Sequence, residues 1–136
     1  MTDTDRPRPR IATEDRPFWE GTRAHEFRVQ ECDDCGTVRW PPSPLCSDCW
    51  SESATWIELS GEGTVNTWAV YHDRIHEAFA DTVPYIVAEI ELERDVRYLA
   101  TLVGCDPEDV YRGMPVRIIY EQVEPELTLP KFEPRA

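Results

Sequence analysis

The pattern of apolar and polar positions predicts one short helix near the start of the chain. Phe18, Thr22 and His25 recur at helical spacing, and Trp19 adds a second aromatic side chain beside Phe18. Pro17 suits the first turn of a helix, where its missing N–H would have no intrahelical partner. A helix this short is not stable alone in water, so we expect Phe18 and Trp19 to dock on another surface.

From Trp56 onward the pattern becomes that of β-strands. Alternating apolar residues and runs of β-branched and aromatic residues predict strands at 64–71, 84–93, 96–103 and 116–123. A strand near Trp56 brings the count to about five, and 106–110 has the caps of a single helical turn. This content predicts a mainly β protein with a five-stranded OB-type barrel, although a small β-sandwich would give a similar pattern. Residues 128–134 are interpreted as a tail.

The charge of the chain disfavours two classes of partner. The 136 residues carry 14 basic and 27 acidic side chains, a net charge of −13. Residues 1–31, 32–53 and 54–136 have net charges of −1, −3 and −9, so no segment is basic. Nucleic-acid binders and membrane-surface proteins draw their affinity from clustered Lys and Arg. We therefore expect neither a nucleic acid nor a membrane as partner.

The chain is long enough for one core and a small metal-held satellite. We divide it into a flexible arm and N-terminal helix (1–31), a ribbon (32–53), and an OB-fold domain with a C-terminal tail (54–136). Residues 6–10 alternate Arg and Pro, which is typical of a mobile arm. The sequence has no apolar run of membrane-spanning or secretory length, so we expect a cytoplasmic protein whose cysteines are thiols or metal ligands.

The strongest chemical motif is a pair of Cys-x-x-Cys knuckles, Cys32/Cys35 and Cys46/Cys49. Two such knuckles supply the four thiolates of a tetrahedral structural zinc site, and Gly36 suits the tight turn beneath the sulfurs. Iron would accept the same ligands, and a pair of redox dithiols is the alternative. Four thiolates leave no open coordination position, so the sequence predicts one structural Zn²⁺ and not a catalytic metal.

The remaining candidate groups do not form a complete active site. Cys105 has no His adjacent in the sequence, so it is interpreted as a small packing residue, and we predict no catalytic residue. A nucleophile that uses His72 or His76 as its base is the alternative. The segment from Tyr71 to Pro84 is long for a hairpin connection, and long loops on small scaffolds often carry function. It offers Arg74, Phe79, Pro84 and Tyr85 as candidate ligand or partner contacts, with an ordinary exposed loop as the alternative.

Several motifs in order resemble the domain-of-unknown-function family thirty-five, which pairs a rubredoxin-like zinc ribbon with an OB-fold. They span residues 16–123 and comprise Phe18-Trp19, Cys32-x-x-Cys35-Gly36, Trp40-Pro-Pro42, Cys46-x-x-Cys49, Ser60-Gly-Glu-Gly63, Pro84-Tyr85 and Gly113-Met-Pro-Val116. Ser43 departs from the family, where many members have Arg after the paired prolines. Any phosphate contact at that position is therefore not expected here.

The resemblance implies an accessory subunit of an acyl-CoA-processing enzyme. Such proteins are non-catalytic partners of thiolases, hydroxymethylglutaryl-CoA synthases or lipid-transfer-protein-like steroid side-chain aldolases, and they help to hold the acyl-CoA. Candidate ligand or partner contacts then also include Phe18, Trp19, Arg39 and Trp40. Because CoA is anionic, the acidic barrel would repel it unless Arg39 and Arg74 converge or the partner supplies positive charge. A single-stranded nucleic-acid-binding ribbon and barrel is the alternative from another class.

Overall fold

The computed structural model describes residues 13, 15–72 and 84–135. Within these residues it contains one α-helix and eight β-strands: α1 (Arg16–Arg23), β1 (Phe27–Cys32), β2 (Val38–Arg39), β3 (Ala54–Leu59), β4 (Glu62–Tyr71), β5 (Tyr85–Glu91), β6 (Arg97–Leu102), β7 (Pro115–Glu124) and β8 (Leu127–Pro134). A three-stranded sheet has the order β2-β1-β3, and a closed barrel has the order β4-β5-β6-β8-β7. The predicted mainly β fold with a five-stranded OB-type barrel is confirmed. No helix in the described part of the chain is long and apolar enough to cross a membrane.

The predicted N-terminal helix is present but ends earlier than the spacing indicated. Phe18 in α1 is buried, with 1% of its surface exposed. His25 lies beyond the helix, because its φ of 61° is left-handed and cannot continue a right-handed helix. Its ring instead stacks on Tyr120, with 4.9 Å between ring centroids.

Two segments have a different role from the one predicted. The strand near Trp56 is β3, and it pairs with β1 along its whole length, so it extends the ribbon and is not part of the barrel. The fifth barrel strand is β8, which falls in the predicted tail. Three of its residues, Thr128, Pro130 and Phe132, alternate toward the interior.

The prolines of β8 explain why the strand was missed. Proline lacks an N–H and is normally confined to strand edges, so Pro130 and Pro134 argued against a strand and in favour of a tail. In the fold, β8 pairs fully with β7, but it meets β6 at the single parallel pair Leu102↔Phe132. Because the β6 side of β8 is nearly unpaired, a missing N–H is tolerated there.

One aromatic cluster joins the helix, the ribbon and the barrel. Phe18 of α1 lies 5.4 Å from Phe27 of β1 and 4.6 Å from Trp40 after β2, measured between ring centroids. Tyr98 of β6 lies 5.0 Å from Phe27 and 5.4 Å from Trp40. Burial raises the pKa of the Tyr98 hydroxyl, so it stays neutral in this core. The three parts therefore share a single interior.

The hairpin between β5 and β6 forms a second link to the ribbon. In the turn of this hairpin, Arg94 and Asp95 both have left-handed φ values, 62° and 59°. Arg94 donates to Glu31 at 2.8 Å and to the carbonyl oxygen of Gly36 at 3.1 Å. The turn thus holds a cation against the end of β1 and the first knuckle.

Two glycines give a matched test of packing at the start of the barrel. Gly61 and Gly113 have φ values of 81° and 89°, but a Cβ at Gly61 would overlap the side chain of Ile118, whereas none of the described atoms lies within 4 Å at Gly113. We expect Gly113→Ala to cost about 1 kcal/mol of unfolding free energy for the left-handed backbone alone. Gly61→Ala should cost about 2–4 kcal/mol, because overpacking adds to that strain. Urea denaturation of both variants measures the difference, and equal losses would contradict the predicted overlap.

Candidate metal centre

The four cysteines of the two knuckles meet at one point beside the ribbon sheet. Their sulfurs all lie within 4.8 Å of one another, with 3.5 Å between Cys32 and Cys49 and 3.6 Å between Cys35 and Cys46. Ligands of a tetrahedral zinc at about 2.3 Å lie about 3.8 Å apart, so the sulfurs are arranged for that ion. Cys32 and Cys46 are buried, whereas Cys35 and Cys49 face outward.

The two knuckles have the same backbone hydrogen bonds. Gly36 N–H donates to the carbonyl of Cys32 at 3.0 Å, and Trp50 N–H donates to the carbonyl of Cys46 at 2.9 Å. The amides of Cys32 and Cys46 each donate to a carbonyl five residues later, at 2.8 and 3.0 Å. Gly36 and Trp50 therefore occupy equivalent positions, and both have positive φ, 79° and 66°. The expected tight turn at Gly36 is confirmed.

Backbone amides favour thiolates at the buried cysteine of each knuckle. Hydrogen bonds from the N–H groups of Cys35 and then Asp34 lower the pKa of Cys32 to about 6. Those from Cys49 and Asp48 lower the pKa of Cys46.

Crowding of the sulfurs has the opposite effect at Cys49. The Ser51 N–H favours the Cys49 thiolate, but Cys32 and the other sulfurs outweigh it and raise the pKa of Cys49 to about 12. Crowding therefore disfavours the thiolate form of Cys49. A divalent cation removes this repulsion, so the donor set fits a bound metal.

Hydrogen bonds to carboxylates connect the knuckles to neighbouring segments of the same chain. Asp33 accepts hydrogen bonds from the hydroxyls of Ser53 and Thr55, both at 2.6 Å, and these bonds lower the pKa of Asp33. Thr37 donates to Asp48 at 2.9 Å, which joins the first knuckle to the second. These bonds link the two knuckles to each other and to the start of β3.

The chemistry of the site is structural. Four thiolates would fill the tetrahedral shell of a bound ion and leave no position for water or substrate, so the four cysteines would hold a metal that stabilises the ribbon. The fifth cysteine, Cys105, is separate from the quartet and partly buried. Burial, and then the carboxylates of Asp109 and Asp106, raise the pKa of Cys105, which keeps it a thiol and a poor nucleophile at neutral pH.

Comparison with known proteins places both parts of the chain in one family. The family model "ChsH2, rubredoxin-like zinc ribbon domain" matches residues 19–54, and "ChsH2, C-terminal OB-fold domain" matches residues 56–121. A chain of the solved Ltp2-ChsH2(DUF35) aldolase superposes with a TM-score of 0.86 at 37% identity, over 93% of this chain and 98% of that chain. The chain belongs to the DUF35 family. Its four-cysteine cluster is thus the zinc site of a DUF35 ribbon.

Two curated relatives of this DUF35 chain carry different descriptions. A "DUF35 domain-containing scaffold protein" of Methanothermobacter thermautotrophicus is 31% identical over 97 residues, covering 71% of this chain and 72% of that protein. The "3-oxo-4,17-pregnadiene-20-carboxyl-CoA hydratase alpha subunit" of Mycobacterium tuberculosis is 39% identical over 127 residues, which is 93% of this chain. The chain spans only 40% of the length of that hydratase subunit.

Among the predicted contact residues, Arg39 has the most unusual environment in the DUF35 fold, because it is a buried cation. It is 92% buried, and its Nε donates to the Gln30 side chain at 3.2 Å and to the Ser43 carbonyl at 3.1 Å. Its Nη1 is buried without a hydrogen-bond partner among the described residues. Burying an unpaired cationic N–H is costly, and Nη1 is an unsatisfied donor enclosed by the protein.

The other predicted contacts fall into three groups. Phe18 is buried, and Trp19 and Trp40 pack partly buried against the core, so the helix docks within the DUF35 fold itself. Tyr85 stacks on Tyr71 at 5.0 Å, and Pro84 is exposed at the same end of the barrel. Arg74 and Phe79 lie outside the described residues.

Sequence reasoning missed Gln30 and Trp50. The Oε1 of Gln30 accepts from both Arg39 and the backbone N–H of Ser43, and so orders the loop after β2. Nothing in the strand pattern of β1 marks it. Trp50 could have been found by aligning the two knuckles, since it stands where the first knuckle has Gly36.

Proposed function

We propose that this chain is a non-catalytic subunit that binds an acyl-CoA-processing enzyme of the thiolase superfamily and contributes to its acyl-CoA site. The observation that carries the proposal is the match to nearly the whole of a chain in the Ltp2-ChsH2(DUF35) aldolase. The scaffold description of the archaeal relative also supports an accessory role. The closed metal site and the raised pKa of Cys105 agree, because neither supplies a reactive group.

A cavity between the ribbon and the barrel supports the acyl-CoA part of the proposal. It has a volume of about 310 Å³ and is lined by Val38, Arg39, Trp40, Ser47, Asp95 and Arg97, among others. Arg39 borders the cavity and is largely buried, whereas Arg97 is exposed and only loosely paired with Glu91, at 3.6 Å. The lining contains two arginines and one aspartate, so its net charge is positive although the protein as a whole is acidic. A positive lining suits a phosphate group.

Mutation of the cavity arginines tests that assignment in the assembled complex. Arg97→Gln should weaken CoA binding about 3–5-fold, since an exposed charge contact is worth up to about 1 kcal/mol. Arg39→Gln should weaken it about tenfold, because a hydrogen bond to a charged group contributes about 1.5 kcal/mol or more. Calorimetric titration with CoA measures both, with the exposed Arg112→Gln as control. Unchanged affinity in Arg97→Gln, which removes no buried contact, would contradict a phosphate at this cavity.

Co-purification tests the function as a whole. The tagged full-length chain, recovered from its native cells with its zinc, should bring down a thiolase-superfamily subunit in stoichiometric amount, identified by mass spectrometry. The complex should turn over acyl-CoA substrate, and Cys105→Ser should leave that turnover unchanged because the chain supplies no nucleophile. Recovery of RNA or DNA in place of an enzyme, or loss of turnover in Cys105→Ser, would overturn the proposal.

A further inference from the structure

Trp50 combines two unfavourable features. Its side chain is 76% exposed, more than any other large hydrophobic side chain in the described part of the chain. Its backbone φ of 66° is left-handed, a conformation that bulky residues rarely adopt. The indole therefore gains little from burial within the chain while its backbone is strained.

The first knuckle shows what this position requires for folding. Gly36 makes the same backbone hydrogen bond as Trp50 and has φ of 79°, so glycine fulfils the structural task there without strain. A tryptophan in the second copy of the same turn contributes nothing that the turn needs. Strain of this kind, held in place by its surroundings, indicates a use for the side chain outside the fold.

The surroundings of Trp50 define what would cover it. Leu45, which precedes Cys46 in the sequence, is also exposed, at 39%. Asp48 and Glu52 flank Trp50 in sequence, and no ion pair neutralises either of them within the described residues. The ribbon, residues 32–53, has four acidic residues and only the buried Arg39 as a base. The second knuckle thus carries two exposed apolar side chains, and the exposed Asp48 and Glu52 beside Trp50 form what we call its acidic rim.

We propose that the second knuckle, residues 45–50, is a docking surface for a protein whose own surface has an apolar pocket ringed by lysine and arginine. Tryptophan is enriched among the residues that dominate protein interfaces, where it fills a pocket that excludes water. The acidic rim repels lipid headgroups and nucleic-acid phosphates, and it steers a basic protein surface toward the indole. The inference rests on the proposed function in one respect, since it takes the enzyme subunit as the occupant.

Trp50→Gly separates docking from folding. It places in the second knuckle the residue that the first already uses, so the zinc-loaded chain should keep one zinc and unfold at the same or a higher temperature. Its affinity for the co-purified enzyme subunit should fall by at least about 30-fold, the loss typical of a dominant interface tryptophan. Surface plasmon resonance with the zinc-loaded full chain measures the affinity.

Two further variants test whether the loss of affinity is specific to the second knuckle and whether its acidic rim contributes. Tyr111→Ala removes another exposed aromatic, 55% exposed and outside the ribbon, and should leave the affinity within about twofold. Glu52→Gln should slow association at low ionic strength, because a rim charge acts mainly on the on-rate. Full affinity in Trp50→Gly, or an equal loss in Tyr111→Ala, would overturn the docking surface while leaving the proposed function standing. A wild-type chain that does not bind the enzyme would overturn the proposed function and, with it, this inference.

Discussion

Cys32→Ser is expected to release the zinc and unfold the ribbon. The mutation removes one of four ligands from a site where no other described side chain joins the sulfur cluster. Binding of structural zinc contributes about 10–16 kcal/mol to the folding free energy of small metal-held domains. The ribbon has almost no core of its own, so no other contact in it can compensate for the loss of the metal. Because Cys32 ends β1, whose Phe27 lies in the shared aromatic cluster, the loss should also destabilise the barrel.

Zinc content by mass spectrometry and thermal unfolding measure this effect. Cys105→Ser is the matched control, since it makes the same chemical change in a cysteine outside the quartet and should retain one zinc per chain. Cys46→Ser should behave like Cys32→Ser, because the two residues have equivalent places in the two knuckles. One tightly bound zinc in either knuckle variant would contradict the assignment, and iron in the wild type would show that the quartet selects a different metal.

Phe18→Ala is expected to lower the free energy of unfolding by about 3–5 kcal/mol. The side chain is 99% buried and contacts Phe27, Trp40 and Tyr98, so its removal leaves a cavity at the junction of helix, ribbon and barrel. Helix α1 has only eight residues and no side-chain cap, so this docking supplies nearly all of its stability.

Urea denaturation followed by circular dichroism measures this loss. Leu99→Ala serves as the control, because Leu99 is 66% exposed and should cost less than about 0.5 kcal/mol. Hydrogen exchange should show α1 losing protection first in Phe18→Ala, ahead of the barrel strands. A loss below about 1 kcal/mol would contradict the shared core and favour a helix that docks only on a partner.

The metal site could be predicted almost completely from the sequence. Two Cys-x-x-Cys pairs fix their own local geometry, since a knuckle turns the chain back within five residues and presents both sulfurs on one side. The glycine after Cys35 marked the turn for the same local reason. Trp50 was missed because its side chain gives no hint of a left-handed backbone, and only its equivalence to Gly36 reveals the position.

Four of the barrel strands were also predictable, but β8 and the assignment of β3 to a sheet were not. Alternation of apolar residues identifies a strand without naming its neighbours, so β3 was counted in the barrel although it pairs with β1. The strand β8, which closes the barrel, was missed because of its prolines. The hydrogen bond that a proline removes from a sheet matters only on an edge that has a partner strand, and this edge of β8 is nearly unpaired. Both errors concern contacts between residues far apart in the chain.

The sequence by itself determined the four-cysteine metal site, the family and four of the five barrel strands, because each depends on spacing or alternation within short segments. The tertiary structure decided which strands close the barrel, that Phe18 serves the core, and that Arg39 and Arg97 line one cavity. It also decided that Trp50 points outward from a strained turn. Burial and unpaired hydrogen-bonding capacity arise only when distant segments pack together, so no local pattern in the chain encodes them.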